Sequence, residues 1–197
     1  MLRRLRLVLM SCACLTACSS PESPQDAEIA SDWATLFDGT GLTSWTQVGD
    51  ANWQIVGNAV QADSGNGFLS TRASYGDFDL ELEFFVSPDA NSGVFVRCEN
   101  PADIGAATCY EVNIYDQRPD PKYRTGAIVD FAEPAVWIDT GGRWNSYAIS
   151  ARGPRLMVTL NGQQTVDVEN DRFIAGPIAL QYGAGTVMFR NVRIRAD

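Results

Sequence analysis

Between Phe78 and Val86 the chain reads FDLELEFFV, an order that no amphipathic helix accommodates. Phe78, Leu80, Leu82 and Phe84 fall on one side of an extended backbone, and Asp79, Glu81 and Glu83 on the other. Such alternation specifies a strand with one face in a core and one in water. The period of two returns at residues 109–116, where Tyr110, Val112 and Ile114 point one way and Glu111, Asn113 and Tyr115 the other. A strand at 93–98 precedes it, and Cys98 and Cys109 stand at the neck of the intervening loop. Further strands are predicted at 53–56 and 59–62 around Gly57-Asn58, and at 68–71, 126–131 and 144–151. Those at 156–160 and 163–168 flank Asn161-Gly162, a strong hairpin signal. Strands at 177–182 and 187–195 complete the set. No helix-period segment exceeds two turns, and no repeat of fixed period occurs. About a dozen short strands with Gly-rich turns predict an all-β sandwich.

The chain's 197 residues suffice for one domain with a sizeable core. Residues 1–17 read as a targeting segment: Arg3, Arg4 and Arg6 are followed by an apolar run at 7–15, too short for a permanent membrane span. The closing Leu15-Thr16-Ala17-Cys18 resembles the lipobox of bacterial lipoproteins, in which Cys18 becomes the lipid-modified N-terminus. An ordinary signal peptide is the alternative. Ser19 resembles the signal for sorting to the outer membrane, so the expected location is the cell envelope, lipid-anchored and facing the periplasm. Residues 18–31, rich in Ser, Pro, Asp and Glu, read as a flexible tether, and 32–197 as the folded domain.

Removal of residues 1–17 takes three arginines and no acid from 15 basic and 24 acidic side chains, leaving a formal balance of −12. No basic patch remains for nucleic acid, and the acidic surface reads as a solvated one. Cys98 and Cys109 are the cysteines left after Cys18, in an oxidising compartment. A bridge between them would stabilise the fold by roughly 2–3 kcal/mol through loop closure. The sharper alternative, a catalytic cysteine, lacks a neighbouring base in the sequence. The chain contains no histidine, which excludes Ser-His-Asp and Cys-His mechanisms and every His-ligated zinc site. Acid–base chemistry therefore falls to carboxylates, Lys, Tyr or water. No EF-hand-like spacing is present and no cofactor is expected; divalent metal binding through the Asp-bearing loops is left open.

Several stretches, in order, resemble the 3-keto-disaccharide hydrolase family. They include Leu36-Phe37-Asp38-Gly39, Tyr75-Gly76-Asp77-Phe78, Asn91-Ser92-Gly93-Val94-Phe95-Val96-Arg97 and Tyr110-Glu111-Val112-Asn113-Ile114. Thr125-Gly126-Ala127-Ile128, Trp144-Asn145-Ser146-Tyr147, Leu160-Asn161-Gly162, Gly176-Pro177-Ile178-Ala179-Leu180-Gln181 and Phe189-Arg190-Asn191-Val192 extend the likeness over residues 32–195. The resemblance implies a concanavalin A-like jelly roll of two antiparallel sheets. It also implies action on glycosides oxidised at C3: abstraction of the C2 proton, expulsion of the C1 substituent and hydration of the resulting glucal. A non-catalytic carbohydrate-binding module of the same fold is the alternative. Asn113 stands where family members often carry Gln, and Tyr123-Arg124 where a His is frequent.

Within that frame the polar face of the 109–116 strand is the expected site. Glu111 reads either as the general base or as a carboxylate paired with Arg97, and Arg97 either as an oxyanion stabiliser or as that partner. Lys122 is a candidate proton donor or simply an exposed lysine. Asn113, Gln181, Asp116 and Arg190 are candidate sugar-binding groups, each with a structural alternative: backbone hydrogen bonds for the amides, turn capping for Asp116 and cross-strand pairing for Arg190. Trp45 and Trp137, read as loop residues, are candidate stacking platforms, while Trp33, Trp53 and Trp144 are assigned to the core. The polar loop at 117–125 is expected to wall the groove. For the anchor, Cys18→Ser is expected to release the protein from membranes, read by fractionation; continued membrane association would refute the lipid attachment.

Overall fold

The computed structural model describes residues 32–197. The targeting segment, Cys18 and the tether lie outside the described residues. Strands β1 (Ala34–Phe37), β2 (Trp45–Gly49), β3 (Gln54–Val56), β4 (Ala59–Ala62) and β5 (Gly67–Thr71) come first. They are followed by β6 (Phe78–Val86), β7 (Ser92–Val96) and β8 (Tyr110–Ile114), then a one-turn helix at Pro121–Tyr123. The last third holds β9 (Trp144–Arg152), β10 (Arg155–Leu160), β11 (Gln163–Glu169), β12 (Ala179–Tyr182) and β13 (Val187–Ala196). An eight-stranded sheet runs β11-β10-β9-β6-β13-β4-β3 with β1 also on β13, and a five-stranded sheet runs β2-β5-β12-β7-β8. All named pairings are antiparallel, as the jelly roll requires.

The core lies between the two sheets and follows the alternation of the sequence. From β6, Phe78, Leu80, Leu82 and Phe84 are buried; from β8, Tyr110, Val112 and Ile114 meet them from the other layer. Asn161 and Gly162, at φ 50° and 78°, make the hairpin turn between β10 and β11 with both residues in the left-handed region. Cys98 and Cys109 are joined as a disulfide at the neck of the β7–β8 loop.

Two sequence expectations change. Trp45 is not a loop platform: it opens β2, is 3% exposed, and donates its indole N–H to the Leu36 carbonyl at 2.9 Å. The segment 126–131 is not a continuous strand, because Gly126 and Asp130 adopt φ 93° and 67°. Ile128 alone bridges to Val112 and then turns back on Ala132. The tryptophans assigned to the core divide as well: Trp53 packs against it, whereas Trp144 lies beside Arg190, whose guanidinium sits 3.9 Å above the indole.

Arg97 is the largest departure. Its φ of 53° ends β7 one residue after Val96 and turns the side chain off the sheet's outward face. There it is 1% exposed and donates to the carbonyls of Gly76 (2.9 Å), Gly153 (2.8 Å) and Phe173 (3.4 Å) and to Asp77 (2.9 Å). Asp77 also accepts from the Gly153 amide. Burial pulls the Arg97 pKa below its ordinary value, and the Asp77 carboxylate opposes that. The residue is a clasp of the fold, with every arm of its fork engaged. Arg97→Met is expected to strand three carbonyls and lower unfolding free energy by on the order of 3 kcal/mol, read as a lower urea midpoint at unchanged m-value.

Candidate active site

The outward face of the five-stranded sheet is built row by row from strand register. Phe95 on β7 pairs with Glu111 on β8 and with Ala179 on β12. One step along, Gly93 pairs with Asn113, and the same register brings Gln181 beside Gly93. The period of two that sends Tyr110 and Val112 into the core therefore sends Glu111 and Asn113 to the opposite face. Gly93 matters through what it lacks: a Cβ there would stand 3.4 Å from Glu111 Oε1 and 3.2 Å from the Phe95 ring. Its bare backbone leaves room for the Glu111 carboxyl to lie against it, in the row that also carries Asn113.

Three acceptors lie on this face. Glu111 is 8% exposed and accepts no hydrogen bond among the described residues. The Asn113 side-chain nitrogen donates to the Tyr123 carbonyl, which fixes the amide so that its oxygen is the free end. That oxygen, and the side-chain oxygen of Gln181, are buried without partners. Buried acceptors normally find a donor, so two orphaned amide oxygens on the same face as a buried carboxylate are exceptional. The Asn113 backbone is held independently, its carbonyl accepting from Tyr147 Oη at 2.7 Å.

Burial pushes the Glu111 carboxyl up to about 7; the positive Arg118 opposes this and the negative Asp130 adds to it. Arg118 lies in the 117–125 loop, its guanidinium 6.0 Å from the Tyr123 ring centroid. The same Tyr123 holds Asn113 through its carbonyl, so Arg118 and Tyr123 rim the Asn113 end of the site. Sequence reasoning placed this loop as the wall but did not single out Arg118. Its one signal was position, four residues beyond the end of the Glu111 strand.

Other expected residues sit elsewhere. Asp116 is occupied by the fold: its carboxylate accepts from the hydroxyls of Thr125 (2.6 Å) and Thr140 (3.0 Å) and from the amides of Thr140 (2.6 Å) and Gly141 (3.0 Å). Arg190 belongs to the other sheet, where it binds Glu83 at 2.6 Å. Lys122 is exposed on the one-turn helix, 4.0 Å from Glu133. Trp137 is 62% exposed, with the Arg124 guanidinium 5.3 Å from its ring and Arg124 paired to Asp139. Beside Glu111 the face turns apolar: Phe95 packs edge-on against Phe68 at 5.2 Å, together with the Cys98–Cys109 bridge and Ile104. Among the described residues no cluster of three metal-ligating side chains occurs.

Residues 32–195 match the model of the 3-keto-alpha-glucoside-1,2-lyase-like domain. The chain belongs to that family. The lyase-like domain is 26% identical over 166 residues to the levanase of Bacillus subtilis, a match that covers 81% of this chain and 24% of the levanase. It thus spans about a quarter of the length of that curated relative. A Parabacteroides distasonis structure provisionally described as a glycosyl hydrolase superposes with a TM-score of 0.75 at 17% identity, over 84% of this chain and 94% of the other. The carbohydrate binding module CBM66 from Bacillus subtilis superposes at 0.62 and 22% identity, over 77% and 95%. At those identities the structural likenesses establish the fold of the lyase-like domain alone.

The raised carboxyl has a consequence for stability. The unfolded value is near 4.5 and the folded one about 7, so between them the native protein keeps a proton that the unfolded chain has released. Stability therefore falls as pH rises through that window, by at most about 3 kcal/mol, and levels off above it. Glu111→Gln is expected to melt higher than the parent above about pH 8 and equally below about pH 4, read by calorimetry. Parallel curves at both ends would contradict the buried-carboxyl assignment.

Proposed function

We propose that this domain cleaves 3-keto-glycosides by 1,2-elimination followed by hydration, with Glu111 as the base. The observation that carries the reading is the Glu111 carboxyl itself: buried beside Gly93 and free of any hydrogen-bonding partner among the described residues, so that burial pushes its pKa up to about 7. A base with that value is half-ionised near neutrality yet strong enough to take a proton made acidic by an adjacent ketone. The C2–H electron pair passes into the ring as an enediolate, then forms the C1–C2 double bond as the C1–O bond breaks. The leaving oxygen takes a proton from water; the hydroxide so formed adds at C1 while Glu111 returns its proton to C2, which gives the free 3-keto sugar and restores the carboxylate. Net, one water is consumed.

The neighbouring groups suit the same substrate. The orphaned oxygens of Asn113 and Gln181 accept from sugar hydroxyls. Arg118, the cation acting on Glu111, would stabilise the enediolate charge by the same electrostatics, the role expected of Arg97 before the fold claimed it. Family membership supports a carbohydrate substrate, and the CBM66 likeness supports the alternative of a module that binds sugar without cleaving it.

Incubation with a 3-keto-disaccharide, followed by chromatography for released sugar, separates the two. Turnover is expected to rise with pH through about 7 and plateau, because the ionised form of Glu111 is the active one. Glu111→Gln is expected to lower it by roughly 10²–10⁴-fold. Binding of the substrate without release by the parent protein would decide for the module.

A further inference from the structure

On the side of the sandwich away from Glu111, the outward face of the eight-stranded sheet carries a trough. Its floor is β9, where Ser146, Ala148 and Ser150 alternate outward between buried neighbours. Small side chains on that row leave a depression of about 680 Å³, which shares Glu81, Ala148 and Thr159 with an adjoining recess of about 270 Å³. The larger volume lies within the range of ligand sites. From Ser146 to Ser150 the floor extends about 13 Å, the scale of a short oligosaccharide.

One wall is a zipper of opposite charges between β6 and β13. Glu83 binds Arg190, Glu81 binds Arg193 and Asp79 binds Arg195. Both Arg190 and Arg193 engage their carboxylates through two nitrogens, which fixes planar groups in place. Because each charge is neutralised by its neighbour, the wall offers little net field to an ion. What it offers is a series of rigid lone pairs and N–H groups. Thr159 on β10 supplies a hydroxyl opposite, and Trp33 lines the adjoining recess, with the Arg193 and Arg195 guanidinium groups 4.9 and 5.3 Å from its ring. Neutral, hydroxyl-rich ligands match pre-set planar hydrogen-bonding groups, a narrow floor and an indole at one end. Phe37, Leu82 and Val192 also border the depression, so apolar surface lies between the paired charges, as the C–H faces and hydroxyls of a sugar ring require.

We infer that this trough is a second carbohydrate site, binding an unoxidised linear oligosaccharide along β9 on the opposite sheet from Glu111. The inference does not depend on the lyase reading, because the ligand carries no ketone and the site contains none of the Glu111 groups. Its role is to hold a glycan strand while the other face is free to work.

The test is an amide-shift titration of the ¹⁵N-labelled full chain with cellotetraose and maltotetraose, one extended and one curved chain, at millimolar concentration. Shifts are expected at Ser146, Ala148, Thr159 and Glu81 with at least one of them. Ala148→Trp, which fills the floor from an exposed position, is expected to weaken that binding by about tenfold or more while keeping the parent's amide dispersion elsewhere. Ala148→Ser, which preserves the depression, is expected to bind as the parent does. Shifts confined to Gln181, Phe95 and Glu111, no shift with either sugar, or full affinity in Ala148→Trp would each overturn the proposal.

Discussion

The guanidinium of Arg97 is where distant parts of this sandwich are tied together. From the end of β7 it reaches the 76–77 segment leading into β6, the turn between β9 and β10 at Gly153, and the 173 segment before β12. Two of those partners feed the eight-stranded sheet and the rest the five-stranded one. A buried cation is costly unless each donor is met, and here each nitrogen is. Removing it would leave the buried Phe173 carbonyl without a donor and the Gly76 and Gly153 carbonyls to whatever water could reach them. That constraint sets where β7 stops, and hence where the disulfide-bearing loop begins.

Fixing β7 also fixes the candidate site, because Glu111 is placed by its register on that strand. The fold satisfies nearly every polar group near it: Asp116 has four donors, and the Asn113 backbone is held on both sides. Against that background the unmet groups stand out. Glu111, the Asn113 side-chain oxygen and the Gln181 side-chain oxygen lie together on one face, and burial holds the carboxyl far above its ordinary value. Two of the three buried side-chain polar atoms left without a partner among the described residues lie on this face, the Trp53 indole nitrogen being the third.

The two outward faces differ in electrostatic design. On the five-stranded sheet a single carboxylate is dehydrated and set between polar and aromatic neighbours. On the eight-stranded sheet the acids of β6 are partly buried and matched to the arginines of β13. Asp79 is held down to about 2: its hydrogen bonds to Arg152, Ser150 and Arg195 outweigh the opposing effect of burial. Paired charges of this kind give a surface of fixed shape and little reactivity, whereas the isolated carboxyl gives reactivity with little support. The same residue type is thus paired on one side and left alone on the other.

Strand alternation, the Asn161-Gly162 turn and the cysteine spacing were legible from the order of residues, because each is a local rule acting over two to a dozen positions. So was the shared face of Glu111 and Asn113. What could not be read was the use of each polar side chain. Arg97, Asp116 and Arg190 look alike as candidates in the sequence, yet the fold commits their hydrogen bonds to partners as far as 107 residues away. Trp45 reads as a turn residue until β1 and β2 bring the Leu36 carbonyl to its indole. Arg118 gains its importance only when the loop folds back over β8. A sequence states which groups exist and which way a strand points them. Only the packed chain decides which of them already have partners and which are left to meet a ligand.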